Sequence, residues 1–308
     1  MKLGIALPNV GSLNDRQGIL TTAKEAEKLG LDSLWVTERL LYPVHPRQPY
    51  AGRFETWPEG YKSVLDPLDT LVFAAAITEK ISLGTSLLDF PFYNAARLAK
   101  RIATLDVLSG GRAIICAGLG WSEDEFLASG VPFNQRVGRT AEMIRALTAL
   151  WGPDPVEFHG KYCQVPASIF GPKPLQKPRP PILLGGYAPA ALARAARLAD
   201  GFNPVVRPNA AEAEKYFLAA NQAWREAGRL PAQPRIVVRV NHGLILDQPL
   251  PPDRLFLTGS IQQVHADLEK LQAWGATDVF FDIKVGPIQN ILDQARKLRQ
   301  AGWQAGLS

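Results

Sequence analysis

Residues 81–121, ISLGTSLLDFPFYNAARLAKRIATLDVLSGGRAIICAGLGW, place two short apolar runs on either side of one amphipathic helical pattern. Strand, helix and strand within about forty residues form the crossover unit of a parallel sheet. The first run, ISLGTSL, breaks at Leu88, Asp89, Phe90 and Pro91, so a polar and an aromatic residue stand where strand gives way to helix. Asn94 suits an N-cap, and Ser109, Gly110 and Gly111 provide a glycine stop. The second run ends in GLGW. Glycine at the carboxyl end of a strand permits positive φ or close approach to a flat ligand, and two such turns on neighbouring strands can floor one site.

Outward from this unit the pattern repeats. Strand-like runs begin at Lys2 (KLGIALP), Ser33 (SLWVT), Ile81, Arg112 (RAIICAG), Pro181 (PILLGG), Gly201 (GFNPVV), Arg235 (RIVVRVN) and Asp278 (DVFFDI). Helical periodicity fills Asp15 to Leu29, Pro67 to Thr78, Asn94 to Leu108, Gln135 to Leu150, Pro189 to Ala199, Ala210 to Ala227, Ser260 to Trp274 and Pro287 to Ala301, with Asn134 expected as the fourth N-cap. Eight strand and helix pairs predict an α/β fold, a (β/α)8 TIM barrel formed as a single domain by residues 1–308. The strands are nearly continuous apolar runs, as parallel strands covered by helices require. A doubly wound open sheet is the alternative. Two insertions interrupt the repeat. One, Tyr42 to Asp66, follows strand two. The other, Gly152 to Pro181, precedes strand five; it is crowded with prolines, and VEFHGKYCQV within it reads as a hairpin turning at His159 and Gly160.

Composition narrows the function. The chain has 308 residues, net charge +5, 46 % hydrophobic and 20 % charged residues, which suits two small domains or one large barrel. Its cations are scattered among acids, without the clustered basic surface that nucleic-acid binding needs. No apolar run reaches the roughly 18 residues of a membrane span, and the amino-terminal apolar run is too short for a signal peptide. Cys116 and Cys163 lack CxxC spacing and are too few for a disulfide framework, so a cytoplasmic protein is expected. Cys116, inside AIICAG, reads as a small core hydrophobe.

Active sites of such barrels lie where the segments after the strands gather. The Tyr42 to Asp66 segment carries Tyr42, His45, Tyr50, Phe54, Trp57 and Tyr61, more aromatic surface than a solvated connection needs. It reads as a lid or substrate wall; packing back onto the rim is the alternative. His45, His159, His242 and His265 show no metal-ligand spacing, and no metal site is expected. His265 is expected at a solvent-exposed helix position, whereas His242, ending strand seven, could face the site. No GxSxG elbow supports a serine nucleophile. Organic cofactor chemistry remains.

Several ordered segments carry a resemblance across nearly the whole chain: LWVTERLLYP, LGTSLLDFPFYNAARLAKRIATLDVLSGGR, GLGWSEDEF, GVPFNQRVGRTAEMIRALTALW and LLGGYAPAALARAARLADGFNP. Together they resemble the luciferase-like flavin and deazaflavin oxidoreductases, most of all the F420-dependent branch. The resemblance implies a TIM barrel. It also implies that Ser86 and Leu87 form a bulge with a cis peptide behind the deazaflavin ring, with Asp89 beside it, and that Leu119 and Gly120 bring backbone against the cofactor. Gly185, Gly186, Tyr187 and Ala188 match the family's phosphate-binding turn. Pro189 after them suits the first helical position, leaving free N–H groups aimed at an anion.

Strand two ends in Glu38 and Arg39, where the best-understood relatives carry Asp and His. Glu38 can keep the acid's place beside the ring. Arg39 is a poor proton donor or acceptor near neutral pH, because guanidinium stays charged; it can pair an anion or stabilise developing charge. Trp121 occupies the position where some relatives place a catalytic glutamate. The expected activity is F420-dependent hydride transfer to or from a small organic substrate. Glu38 and Arg39 are the catalytic candidates, and Tyr42, Trp57, Trp121, Arg239 and Asn241 the substrate candidates. An FMN-dependent monooxygenase using reduced flavin and oxygen is the enzymatic alternative, and a non-catalytic flavin- or ligand-binding barrel the third. Relatives of this kind are commonly dimers, so a homodimer is expected.

Overall fold

The computed structural model describes residues 1–50, 56–229, 232–283 and 286–304. Eight parallel strands close on themselves: β1 (Lys2–Ala6), β2 (Ser33–Val36), β3 (Ser82–Thr85), β4 (Ala113–Gly118), β5 (Ile182–Leu184), β6 (Gly201–Phe202), β7 (Arg235–Val240) and β8 (Asp278–Phe281). Closure is set by Lys2 opposite Asp278 between β1 and β8, and by Leu83 opposite Ala113 between β3 and β4. The expected barrel is therefore present. Eight helices cover it: α1 (Arg16–Lys28), α2 (Pro67–Ile77), α3 (Ala95–Leu108), α4 (Arg136–Leu150), α5 (Pro189–Leu198), α6 (Ala210–Glu226), α7 (Ile261–Ala273) and α8 (Ile288–Gln304).

The continuous apolar character of the strands has a simple origin, since both faces are buried. Trp35, Ile114, Cys116, Leu183, Val237 and Phe280 point inward and form a separate interior cluster. Their neighbours Leu34, Val36, Ile115, Ile236, Val238, Val279 and Phe281 point outward into the larger core beneath the helices. Trp35 stacks on Phe280 with centroids 4.7 Å apart. It also explains a glycine: a Cβ at Gly84 would stand 2.2 Å from the Trp35 ring, so β3 gives up a side chain to admit the indole. Cys116 is fully buried, and that burial raises its thiol pKa. It behaves as the small hydrophobe its strand predicts.

Side chains of Asp15, Asp66, Asn94, Asn209 and Ser260 cap α1, α2, α3, α6 and α7, each accepting a backbone N–H. Asn134 does not cap α4. The residues after Pro132 form a 3-10 turn, Phe133–Gln135, and Gln135 precedes α4 with no side-chain cap. An additional short helix, Glu123–Ala128, follows GLGW and is capped by Ser122. ISLGTSL contributes β3, and the Leu88–Asp89 break after it is itself a two-residue strand that pairs with Ala117 and Gly118. The hairpin of the second insertion is present as Val156–His159 against Gln164–Ser168. Its turn is tied to α4 by Glu142, which accepts the backbone N–H groups of Lys161, Tyr162 and Cys163 at 2.6–2.8 Å. His265 is only partly exposed, with Nδ1 3.1 Å from the Ala301 carbonyl, because α8 packs across its helix. Among the described residues, no helix is long and apolar enough to cross a membrane.

Candidate active site

At the carboxyl ends of β1, β2, β7 and β8 the barrel opens into a cavity of about 760 Å3, whose walls include Trp35, Thr37, Tyr61, Ser86, Arg239 and Asp282. Ser86 brings the end of β3 to its wall, and the Ser86–Leu87 peptide there is cis. The Ser86 carbonyl accepts from Thr37 Oγ1 at 2.7 Å and from Arg239 Nη1. Ser86 Oγ donates to Asn203 Oδ1 at 2.7 Å, and Asn203 donates onward to the Val237 carbonyl at 2.7 Å. Residues from the ends of β2, β6 and β7 thus converge on one peptide. Arg239 is buried and paired with Asp282. Burial opposes its charge, but Asp282 together with Tyr61 and Tyr50 holds the guanidinium pKa above its ordinary value.

Beside this peptide the ends of β2 and β3 and the Glu123–Ala128 helix bring three carboxyls around one cation. Arg39 reaches Asp89 at 3.1 Å and Glu125 at 2.7 Å, and its Nε donates to the Glu38 carbonyl at 2.7 Å. Glu125 also accepts the Leu40 N–H at 2.7 Å. Asp89 accepts the Gly120 N–H at 3.0 Å, which joins the LLDF turn to the GLGW turn. Gly120 has φ +70°, and a Cβ on Gly118 would fall 2.2 Å from Asp89 Oδ1. Both glycines are needed for that junction.

The Glu38 side chain accepts the Asp89 N–H at 2.5 Å and shares a hydrogen bond with Tyr93 Oη. Burial and the adjacent Asp89 charge push Glu38 up to about 8, against the pull of Tyr93, the Asp89 N–H and Arg39. Burial likewise raises Asp89 and Glu125, with Arg39 drawing both back. One guanidinium cannot neutralise three buried carboxylates, so the cluster as a whole favours keeping a proton, shared among groups that titrate together.

Aromatic side chains wall this cluster. The Arg39 guanidinium lies 5.2 Å from the Trp121 ring centroid, and Trp121 packs on Trp57 at 4.7 Å and Tyr50 at 5.4 Å. Tyr42 meets Trp57 edge-on at 5.9 Å, and Tyr50 Oη lies 3.1 Å from Tyr61 Oη. Trp57 is buried, and its indole N–H meets no acceptor among the described residues. The insertion after strand two therefore packs its aromatics over the mouth; Phe54 lies outside the described residues.

On the opposite side, Gly185 abuts Leu87: a Cβ there would stand 2.8 Å from Leu87 Cδ1. Gly186 has φ +134°, and Pro189 is the first residue of α5, which has no side-chain N-cap. Arg207 lies 4.6 Å from the Tyr187 ring centroid at this turn. A helix start without a cap, next to a cation, suits an anion.

Glu38, Arg39, Asp89, Gly120, Trp121, Tyr42 and Trp57 thus form one contact network beside the cavity, and Ser86 is joined to Arg239 in the cavity wall. Asn241 stands exposed after β7, outside this network. His242 Nε2 lies 3.1 Å from the Phe256 carbonyl, and burial lowers its pKa. Sequence reading missed Glu125, Tyr93, Thr37 and Asn203. Glu125 stands three residues after Ser122, where an acid reads as a helix-capping partner. Nothing local indicates that its carboxylate turns inward to Arg39.

Comparison with known proteins adds the following. Residues 1–242 match the model of the luciferase-like monooxygenase family. An uncharacterized protein of Mycobacterium tuberculosis is 32 % identical over 236 residues, 76 % of this chain and 80 % of that one. An FMNH2-dependent dimethylsulfone monooxygenase of Pseudomonas putida is 38 % identical over 130 residues, 41 % of this chain and 36 % of that one. An F420-dependent glucose-6-phosphate dehydrogenase of Amycolatopsis mediterranei is 32 % identical over 184 residues, 58 % of this chain and 50 % of that one. A monooxygenase from Streptomyces bottropensis superposes with TM-score 0.80 over 99 % of both chains at 21 % identity, a likeness of fold.

Proposed function

Because the chain belongs to the luciferase-like monooxygenase family, we propose that it is an oxidoreductase that uses deazaflavin F420 on a small organic substrate. The observation that carries this reading is Glu38, a buried carboxyl beside the mouth with its pKa raised to about 8. Interconversion of an alcohol and a carbonyl moves a hydride and a proton together, and a general acid or base serves best when its pKa lies near the working pH. When bound, the deazaflavin supplies the hydride acceptor or donor. The mouth has features that fit it: backbone at Ser86 and Leu87 fixed from three strands, the Gly120 turn held by Asp89, and an uncapped helix start for its phosphate.

The chain's own residues then divide the work. Glu38 holds or takes the proton. Arg39, engaged by Asp89 and Glu125, fixes the acids around Glu38 and contributes positive potential. Ser86, Leu87, Asp89, Leu119 and Gly120 would seat the ring, and Gly185 to Ala188 the phosphate. Tyr42, Trp57 and Trp121 exclude water from the mouth, and Arg239 faces the substrate cavity from its wall. Family members of this architecture commonly pair, and we extend a homodimer to this chain as part of the proposal.

A second reading, FMN-dependent oxygenation, draws on the identity with the FMNH2-dependent relative. Anaerobic incubation of purified protein with F420 and a panel of small alcohols tests the choice. Loss of the oxidised F420 absorbance is expected. An inert panel in both hydride directions, together with oxygen-dependent product formation from reduced FMN, would sink it.

A further inference from the structure

We propose that Tyr93 is a proton relay between the buried Glu38 carboxyl and solvent, operating through a second cavity on the outer side of the barrel. Among the described residues, the Glu38 side chain has two hydrogen-bond partners, the Asp89 N–H and Tyr93 Oη. A backbone amide does not exchange protons with a carboxyl on a catalytic timescale, whereas a phenol both donates and accepts. Tyr93 follows the Phe90–Phe92 turn and is partly exposed. It lines a cavity of about 310 Å3 together with Asn94, Arg139, Glu142, Tyr162 and Gln164. That cavity is separate from the 760 Å3 mouth. On the proposed path a proton reaches Glu38 without passing through the space reserved for cofactor and substrate.

The step is balanced at one oxygen. As ionised Glu38 takes the hydroxyl proton of Tyr93, the tyrosine oxygen takes a proton from water in the outer cavity, the hydroxide left there is neutralised by solvent buffer, and release runs in reverse. Tyr93 is neutral before and after. Burial and the Glu38 charge raise the phenol pKa, so a free phenolate is not a resting state and the two transfers are linked. The charged groups facing the pair are Asp89 and Arg39 at Glu38, Asp66 and Arg101 beside Tyr93, and Arg139 and Glu142 in the cavity wall. The relay depends on a proton at Glu38 and holds with either cofactor, so it stands or falls separately from the F420 assignment.

Infrared spectroscopy of the purified protein during rapid transfer into heavy water reads this directly. The protonated-carboxyl band that disappears in Glu38→Gln identifies Glu38, and its isotope shift reports proton exchange. Tyr93→Phe is expected to slow that shift at least about tenfold, as the loss of a charge-assisted hydrogen bond from the path implies. Gln164→Trp, at an exposed position on the cavity wall, is expected to slow it while leaving the Glu38–Tyr93 bond in place. Exchange at the wild-type rate in folded Tyr93→Phe overturns the relay. If that variant does not fold, wild-type exchange in Gln164→Trp overturns it, as does a carboxyl spectrum that Glu38→Gln leaves unchanged.

Discussion

Replacing Arg39 with Met removes the one guanidinium shared by Asp89 and Glu125 while keeping a long side chain against Trp121. Its two ion pairs, at 3.1 and 2.7 Å, are nearly closed to solvent: the side chains are 10 %, 6 % and 0 % exposed. Taking one partner from a buried pair costs about 3 to 5 kcal/mol, because the remaining charge is desolvated and unpaired. The stranded groups here are carboxylates, so the cost depends on pH. Arg39 lowers the pKa of Asp89, Glu125 and Glu38 in the folded protein. Without it their folded values rise further above the unfolded ones, and stability held at low pH is lost as pH increases. Each additional proton retained by the folded variant changes the difference by about 1.4 kcal/mol per pH unit. The penalty is therefore predicted at about 3 to 5 kcal/mol at pH 8 and about 1 to 2 kcal/mol at pH 5. Urea denaturation of both proteins at the two pH values measures it. Equal penalties would refute the buried charge cluster, and a penalty larger at pH 5 would reverse its sign.

Other outcomes follow from the same geometry. Glu38→Gln should flatten the stability profile between about pH 4.5 and 8, where the raised carboxyl makes the wild type lose stability as pH rises, by up to about 1.4 kcal/mol per unit; thermal unfolding across that range is the check. Gly118→Ala places a methyl against Asp89 and should cost about 1 to 3 kcal/mol by overpacking, measurable by denaturation. Gly186→Ala meets both a φ of +134° and Ala191, and should weaken F420 and FMN alike by about tenfold in a binding titration, since both carry a phosphate. Unequal losses would place the phosphate elsewhere.

The barrel was legible because its signals are local and repeated: an apolar strand and a periodic helix recur eight times, and side-chain caps mark the start of five of those helices. Asp15, Asn94 and Ser260 cap where their residue types predict. Asn134 failed because Pro132 starts a 3-10 turn ahead of α4, a local competitor that a capping pattern does not expose. The strand-end positions Glu38, Ser86, Asp89 and Gly120 were identifiable as a group, since a barrel gathers such ends on one face. Their partners were not. Glu125 lies 86 residues from Arg39 and Asn203 lies 117 from Ser86, and only closure of the barrel brings them together. Arg39 illustrates the difference: its chemistry could be read from its type, whereas its engagement by two carboxylates is a property of the fold.

The claim that the mouth is built for a deazaflavin is tested most directly by titrating the purified protein with F420 and, separately, with FMN, following cofactor fluorescence. The account predicts saturable F420 binding in the micromolar range, stronger than FMN and weakened by Gly186→Ala. Micromolar FMN binding with none for F420 would contradict it.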